Sequence, residues 1–171
     1  MPIQMIFCVE TNKRADTDSI YISEAINHWY QLNNQIKISK VYMNTKSKYN
    51  SKAVLQEICK KSKDFMIGST KVIYCIDTDQ YEVNVEHAKE LENISQYCKE
   101  KHYDLIWFCH DVEEVFLGHS VSDSQKVQAA ASFRRKNEIR KIHIDKLSCD
   151  TNRTCGSNIL KILDKYLPRK K

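Results

Sequence analysis

The stretch VIYCIDTDQY, Val72 to Tyr81, decides how the rest of the chain reads. Five mostly apolar residues, Val72 to Ile76, run into two aspartates one residue apart. Lys71 to Ile76 is rich in β-branched and aromatic residues, which predicts a strand. A near-continuous apolar run fits a strand buried on both faces of a parallel sheet. Asp77-Thr78-Asp79 then has two readings. It is a surface turn, since Asp favours turns, or it holds a metal ion, since residues two apart on an extended segment point the same way.

The flanking sequence repeats the pattern. Ile3 to Val9, IQMIFCV, is a second apolar run and ends at Glu10. After the polar loop TNKRADTD, Asp18 or Ser19 is placed to cap a helix reaching about Leu32, with Ile22, Ala25, Ile26 and Trp29 on one face. Ile36 to Met43 alternates as a strand. Lys52 to about Met66 carries Val54, Leu55, Ile58 and Cys59 at helical spacing. Val83 to Lys99 carries Val85, Ala88, Leu91, Ile94 and Cys98 along one stripe, and DLIWFC, Asp104 to Cys109, reads as a fourth strand. Alternation of this kind predicts an α/β domain: a compact open sheet of mostly parallel strands with helices on both faces.

Beyond it, Asp111 to His119 starts a helix, and Ser122 caps another with Val127, Ala130 and Ala131 on one face. Residues 133–146 are basic and partly alternating, a last strand or an extended arm. Ser157 to Leu167 predicts a final amphipathic helix, ended by Pro168. No repeat or low-complexity tract interrupts the chain. The expectation is a single domain over 1–171, with 120–171 a helical, basic extension of its core.

Composition narrows the function. The 171 residues suffice for one domain with a sizeable core. The 27 Lys and Arg exceed the 22 Asp and Glu, and the net charge of +5 leans toward a polyanionic partner. Only three glycines occur, with no GxGxxG and no Walker motif, which argues against a glycine-built phosphate loop. The seven cysteines are odd in number, and Cys8, Cys75 and Cys109 sit in apolar runs. With no signal peptide before the first strand, they read as small hydrophobes in a reducing cytoplasm. No apolar run approaches membrane-spanning length, so no membrane partner is expected.

The acids fall in a pattern. Glu10 ends the first strand, Asp77 and Asp79 follow the third, and Asp111 and Glu113 follow the fourth. In a parallel sheet these ends share one edge, where open α/β sheets bind ligands. Carboxylates converging there would repel one another, and a hard cation, Mg²⁺ or Mn²⁺, would relieve the repulsion. Acids at strand ends are also ordinary helix caps, and that reading stays open. His110, beside Asp111, is placed to orient a carboxylate or donate to phosphate. His119 is either a group acting near the metal or a helix-end residue.

Arg134, Arg135, Lys136, Arg140 and Lys141 form the densest positive cluster, suited to a phosphate backbone or to a solvated surface. Lys46, Lys48 and Lys52 are a second set beyond the second strand. Tyr49 and Tyr81 are candidates for base stacking. His143, Cys149 and Cys155 lack the spacing of a structural zinc site.

The arrangement resembles the Toprim fold shared by topoisomerases, primases and some nucleases, with a glutamate after the first strand and a DxD after a later one. Glu10, Asp77 and Asp79 match. It is more closely similar to the RloB-like group, small Toprim-related proteins found with bacterial restriction and abortive-infection systems. There VEEVFLGH, Val112 to His119, lines up with Glu113 and His119 on the group's glutamate and histidine; Val112 and Val115 replace its phenylalanine and tryptophan. The likeness covers about residues 3–119.

The resemblance implies a Mg²⁺- or Mn²⁺-dependent phosphodiesterase acting on DNA or RNA in an anti-phage or restriction-associated system. Glu10 would be the acid–base residue or a ligand; Asp77, Asp79 and Glu113 would be ligands, and His119 a further catalytic residue. Toprim proteins usually place a glycine after the glutamate, whereas this chain reads Glu10-Thr11-Asn12-Lys13. Asp16 or Asp18 would have to substitute for acids missing nearby. That departure keeps open a catalytically inactive Toprim-like protein that binds within a defence complex or as a homodimer. An α/β enzyme acting on a nucleotide or small phosphate ester is a third reading.

Overall fold

The computed structural model describes residues 1–170. Strand β1, Ile3–Val9, is paired on both sides and in parallel: with β2, Ile36–Tyr42, and with β3, Ser69–Asp77. Strand β4, Asp104–Cys109, pairs parallel to β3, with Asp77 opposite Phe108. The order is β2-β1-β3-β4-β5, where β5 is the two-residue antiparallel strand Gly156–Ser157. The chain steps from β1 to one side, then crosses back to the other. The reversal lies between β1 and β3, and in open α/β sheets ligands bind at the carboxyl side of such a switch point.

The sheet is covered on both faces. Met5, Phe7 and Val9 point one way, against α1 (Asp18–Trp29), α4 (Val112–Leu117), α5 (Asp123–Arg135) and α6 (Ile159–Leu163). Ile6 and Cys8 point the other way, toward α2 (Lys52–Lys63) and α3 (Val85–Lys101). Opposite burial of successive residues is the period of two expected of a strand. It explains why β1 and β3 read as continuous apolar runs. The result is a compact α/β fold with a mixed, mostly parallel sheet flanked by helices.

The C-terminal third departs from expectation. Residues 133–146 form no strand. Asn137 takes a left-handed conformation (φ 51°) just after α5, and the chain continues as the 3₁₀ turns Glu138–Lys141 and Ile144–Leu147. Ile139 and Leu147 are the apolar residues these turns bury. The edge position beside β4 goes to Gly156–Ser157 instead. The last helix is shorter than its periodicity, Ile159–Leu163. Ile159, Leu160 and Leu163 join the same core as β1 and β3. The Tyr30 hydroxyl donates to the Leu160 carbonyl (3.0 Å) and to Asp164 (2.8 Å), fastening α6 to the end of α1.

Gly68 precedes β3, where the Ser69 amide donates to the Pro2 carbonyl (3.1 Å). A Cβ at Gly68 would lie 2.0 Å from that oxygen. Because the obstacle is backbone, Gly68→Ala should part the first rung of β1 and β3 and cost about 1–3 kcal/mol. Urea unfolding checks this; an unchanged midpoint would mean the N-terminus moves aside freely.

All seven cysteines are free thiols. Among the described residues no helix is long and apolar enough to cross a membrane.

Candidate metal centre at the carboxyl edge of the sheet

Glu10 leaves β1 and turns its carboxylate onto β3, where Oε1 accepts from the Asp77 amide (2.6 Å). Asp77 ends β3 and reaches across to the next element, its Oδ1 accepting from the Val112 amide (3.0 Å) at the start of α4. Asp111 caps the same helix by accepting from the Glu114 amide (2.8 Å). These capping bonds are the ordinary role of acids at strand ends. They also hold Glu10 and Asp77 at the switch point.

The capping role does not account for Glu113. Its side chain is fully buried, and neither carboxylate oxygen has a hydrogen-bond partner. Lys126 from α5 approaches Oε2 at 3.4 Å as an ion pair. Asp18, buried at the start of α1, lies in the same field, whereas Asp16 is drawn away by Lys40 (2.9 Å) and Tyr42 (2.8 Å). Of the two loop acids, Asp18 is thus the one placed with the edge.

Electrostatics tie the group together. Burial pushes the Glu10 carboxyl up to about 8; Lys46 and the Asp77 amide oppose the shift, and Asp18 and Asp79 add to it. Burial and then Glu113 raise Asp18 to about 7, against Lys126. Asp77 is raised well above the carboxylate range by burial and by Glu10, Asp18, Asp111 and Glu113. Burial also raises Glu113, against Lys126. Buried like charges cannot all ionise together without a cation.

Asp79 is placed differently from the DxD expectation. It adopts a left-handed conformation (φ 48°), and its carboxylate pairs with Lys46. Lys46 is buried in a 3₁₀ turn beyond β2, donates to the Asp77 carbonyl (2.9 Å) and lies 3.9 Å from Glu90. Burial would lower its ammonium, but Asp79, Glu10 and Glu90 outweigh this and raise it. The lysine therefore faces inward, while Lys48 is exposed.

Carboxylate oxygens are the donors Mg²⁺ prefers, and the Glu113 oxygens accept no hydrogen bond, Oε2 alone facing Lys126 as an ion pair. The donor chemistry of Glu10, Asp18, Asp77 and Glu113 fits a hard divalent cation. These acids share one electrostatic field but are not gathered around one point. Among the described residues, only Glu82, Cys109 and His110 bring three ligand atoms within 4.8 Å of one another. That small Glu/Cys/His cluster can chelate a metal ion, and the sequence reading did not assemble it. Glu82 lies in the loop after β3, far from His110 in sequence, with no spacing to signal it.

The remaining candidates fall elsewhere. His119 lies past the Gly118 cap of α4, at the helix end away from Asp77 and Glu113, and its ring contacts the Ser120 carbonyl. It lines a groove of about 540 Å³ with Phe133, Lys136, Lys141, His143 and Lys146. Arg134 pairs with Glu24 (2.9 Å), and Lys141 pairs with Glu138 (2.6 Å). Arg135 and Arg140 are exposed; Arg140 lines a separate small depression with His28 and Lys170. Tyr49 packs edge-on against Tyr97 (5.1 Å), and Tyr81 packs against Trp107 and Cys109, so neither ring stands free for stacking. Lys126 escaped the sequence reading because nothing in its helix marks it; only packing brings it to Glu113.

No protein-family model, curated protein or solved structure matches the chain.

Proposed function

We propose that the protein is a metal-dependent phosphodiesterase acting on nucleic acid, with its centre at the β1–β3 switch point. The observation that carries this reading is Glu113: a fully buried carboxylate that accepts no hydrogen bond, in the electrostatic field of Asp77 and Asp18 at the ligand edge. Mg²⁺ or Mn²⁺ bound there would polarise a phosphoryl oxygen and organise an attacking water. Asp77, Asp18 and Glu113 would supply oxygen donors. Glu10, with its carboxyl near 8, holds or releases a proton around neutral pH, as a general acid–base requires. Lys126 offsets negative charge beside Glu113. The groove carrying His119, Lys136 and Lys141 offers cations to a phosphate backbone, with Arg135, Arg140 and Lys48 on the exposed surface around the domain.

The Toprim-like, RloB-like assignment belongs to the same proposal. It draws support from Glu10 and Asp77 sitting at the ends of adjacent parallel strands. A role in phage defence and a cytoplasmic setting rest on that resemblance alone.

Lys46 favours a second reading. An ammonium already answers the charge of Asp79 and of Glu10, as it would in a binding protein that has given up its metal. Incubation of the full chain with labelled DNA, RNA and nucleotides, in Mg²⁺, Mn²⁺ or EDTA, tests both. Cleavage in metal but not in EDTA supports the enzyme, and the substrate cut separates nuclease from small-ester hydrolase. No cleavage of any of them with either metal would remove the first reading.

Lys46→Gln adds a stability arm. Lys46 is buried but its main partner Asp79 is partly exposed and screened by solvent, so the loss should be about 1–2 kcal/mol. In a metal enzyme, millimolar Mg²⁺ should recover most of that loss in a thermal melt. In a lysine-neutralised binding protein it should recover none.

A further inference from the structure

We propose that Glu82, Cys109 and His110, farther along the same sheet edge, form a zinc site with ligands distinct from the Glu10, Asp77 and Glu113 acids, and that Glu114 is the residue that positions His110. The β3–β4 pairing continues past the strand ends: the Thr78 amide donates to the Phe108 carbonyl (2.9 Å) and the Asp79 amide to the His110 carbonyl (2.9 Å). These bonds hold the loop after β3 against the end of β4 and so bring Glu82 to His110. His110 Nε2 lies 3.0 and 3.1 Å from the two Glu82 oxygens. One ligand atom from each of the three residues falls within 4.8 Å of the others. Ligands on one zinc, at about 2.0–2.3 Å from the metal, lie within such a span.

The other face of the imidazole supplies the second observation. His110 Nδ1 lies 3.1 Å from Glu114 Oε2, and the same oxygen accepts from the His110 backbone amide (3.3 Å). A carboxylate on one ring nitrogen fixes the tautomer that leaves the other nitrogen's lone pair for a metal, the usual support of a metal-binding histidine. Glu114 is in turn anchored by its own amide, which donates to Asp111.

The donor set chooses the metal. A thiolate and an imidazole disfavour Mg²⁺ and Ca²⁺ and suit zinc, with a carboxylate as the third ligand. Three protein ligands leave a fourth position for water or substrate, the pattern of reactive rather than structural zinc. On binding, the Cys109 thiol releases its proton to solvent and coordinates as thiolate. Without metal, the same contacts describe an imidazolium held between Glu82 and Glu114, and that arrangement predicts no zinc affinity.

Titration of the full chain with Zn²⁺ against a chromophoric chelator, and with Co²⁺ as a spectroscopic substitute, decides between them. The expected result is a single tight site whose Co²⁺ form shows a near-ultraviolet thiolate-to-metal band. Cys109→Ser should abolish that band. Glu82→Gln, on an exposed loop where folding is not at stake, should weaken zinc by at least tenfold. Glu114→Gln should weaken it about 10–100-fold, as loss of a supporting carboxylate does. No zinc binding, a band that survives Cys109→Ser, or full affinity in Glu82→Gln would overturn the proposal.

Discussion

Asp77→Asn should lower Mg²⁺-dependent hydrolysis by about 100- to 1,000-fold, equivalent to roughly 3–4 kcal/mol of lost transition-state stabilisation. The same variant should be more stable than the wild type without metal. Asparagine keeps the oxygen that accepts from the Val112 amide, so the start of α4 is retained. What it removes is an acid that ionises freely when unfolded but is opposed in the fold by burial and by Glu10, Asp18, Asp111 and Glu113. A gain in stability at neutral pH is the expected direction. Urea unfolding in EDTA measures the gain, and initial rates in Mg²⁺ measure the loss. A purely structural acid would give the opposite pair: lower stability and unchanged rate. Retained activity would move the catalytic centre away from this edge.

The metal-free protein should lose stability as pH rises from about 5 to about 8. An acid whose pKa is higher folded than unfolded binds its proton more tightly in the fold. Its stabilising share is whole below the unfolded value and is lost as pH climbs through the folded one. Glu10 sits at about 8 against an ordinary 4.5, and Asp18 at about 7 against 3.8. Burial opposes the His110 imidazolium, but Glu114 and Glu82 prevail and raise its pKa, so its contribution declines in the same direction. The raised ammonium groups of Lys46 and Lys126 titrate far above this window.

Because the acids share one field, their contributions do not add. A fall of about 3 kcal/mol, or roughly 10 °C in Tm for a chain this size, is the expected order. Millimolar Mg²⁺ should reverse the fall at pH 8 and do little at pH 5, where the acids carry protons. Melting curves at both pH values, with EDTA or Mg²⁺, check both statements. A Tm that is flat or rising over this range would sink the picture of mutually repelling buried acids.

The strand–helix alternation was legible because parallel strands buried on both faces leave nearly unbroken apolar runs. Ile3–Val9 and Asp104–Cys109 show this directly. The tail was harder to read because its apolar residues serve turns. Ile142 and Ile144 alternate as a strand would, with Ile139 three residues earlier, yet only Ile139 of the three is fully buried, and it sits in a 3₁₀ turn. Tertiary context overrides a short period-two pattern when the sheet edge is already taken, here by Gly156–Ser157.

For the site, sequence order alone determined that Glu10, Asp77 and Asp111 would lie at one edge, since every parallel strand delivers its carboxyl end to the same side. Folding decided what those acids meet there. Asp79 turns to Lys46, Asp16 is held by β2, and buried Asp18 and Glu113 share one field, with Lys126 paired to Glu113. Glu82 reaches His110 across two loop ends. Strand ends are a property of one-dimensional order. The pairing of charges depends on side-chain directions and on burial, which only the packed chain supplies.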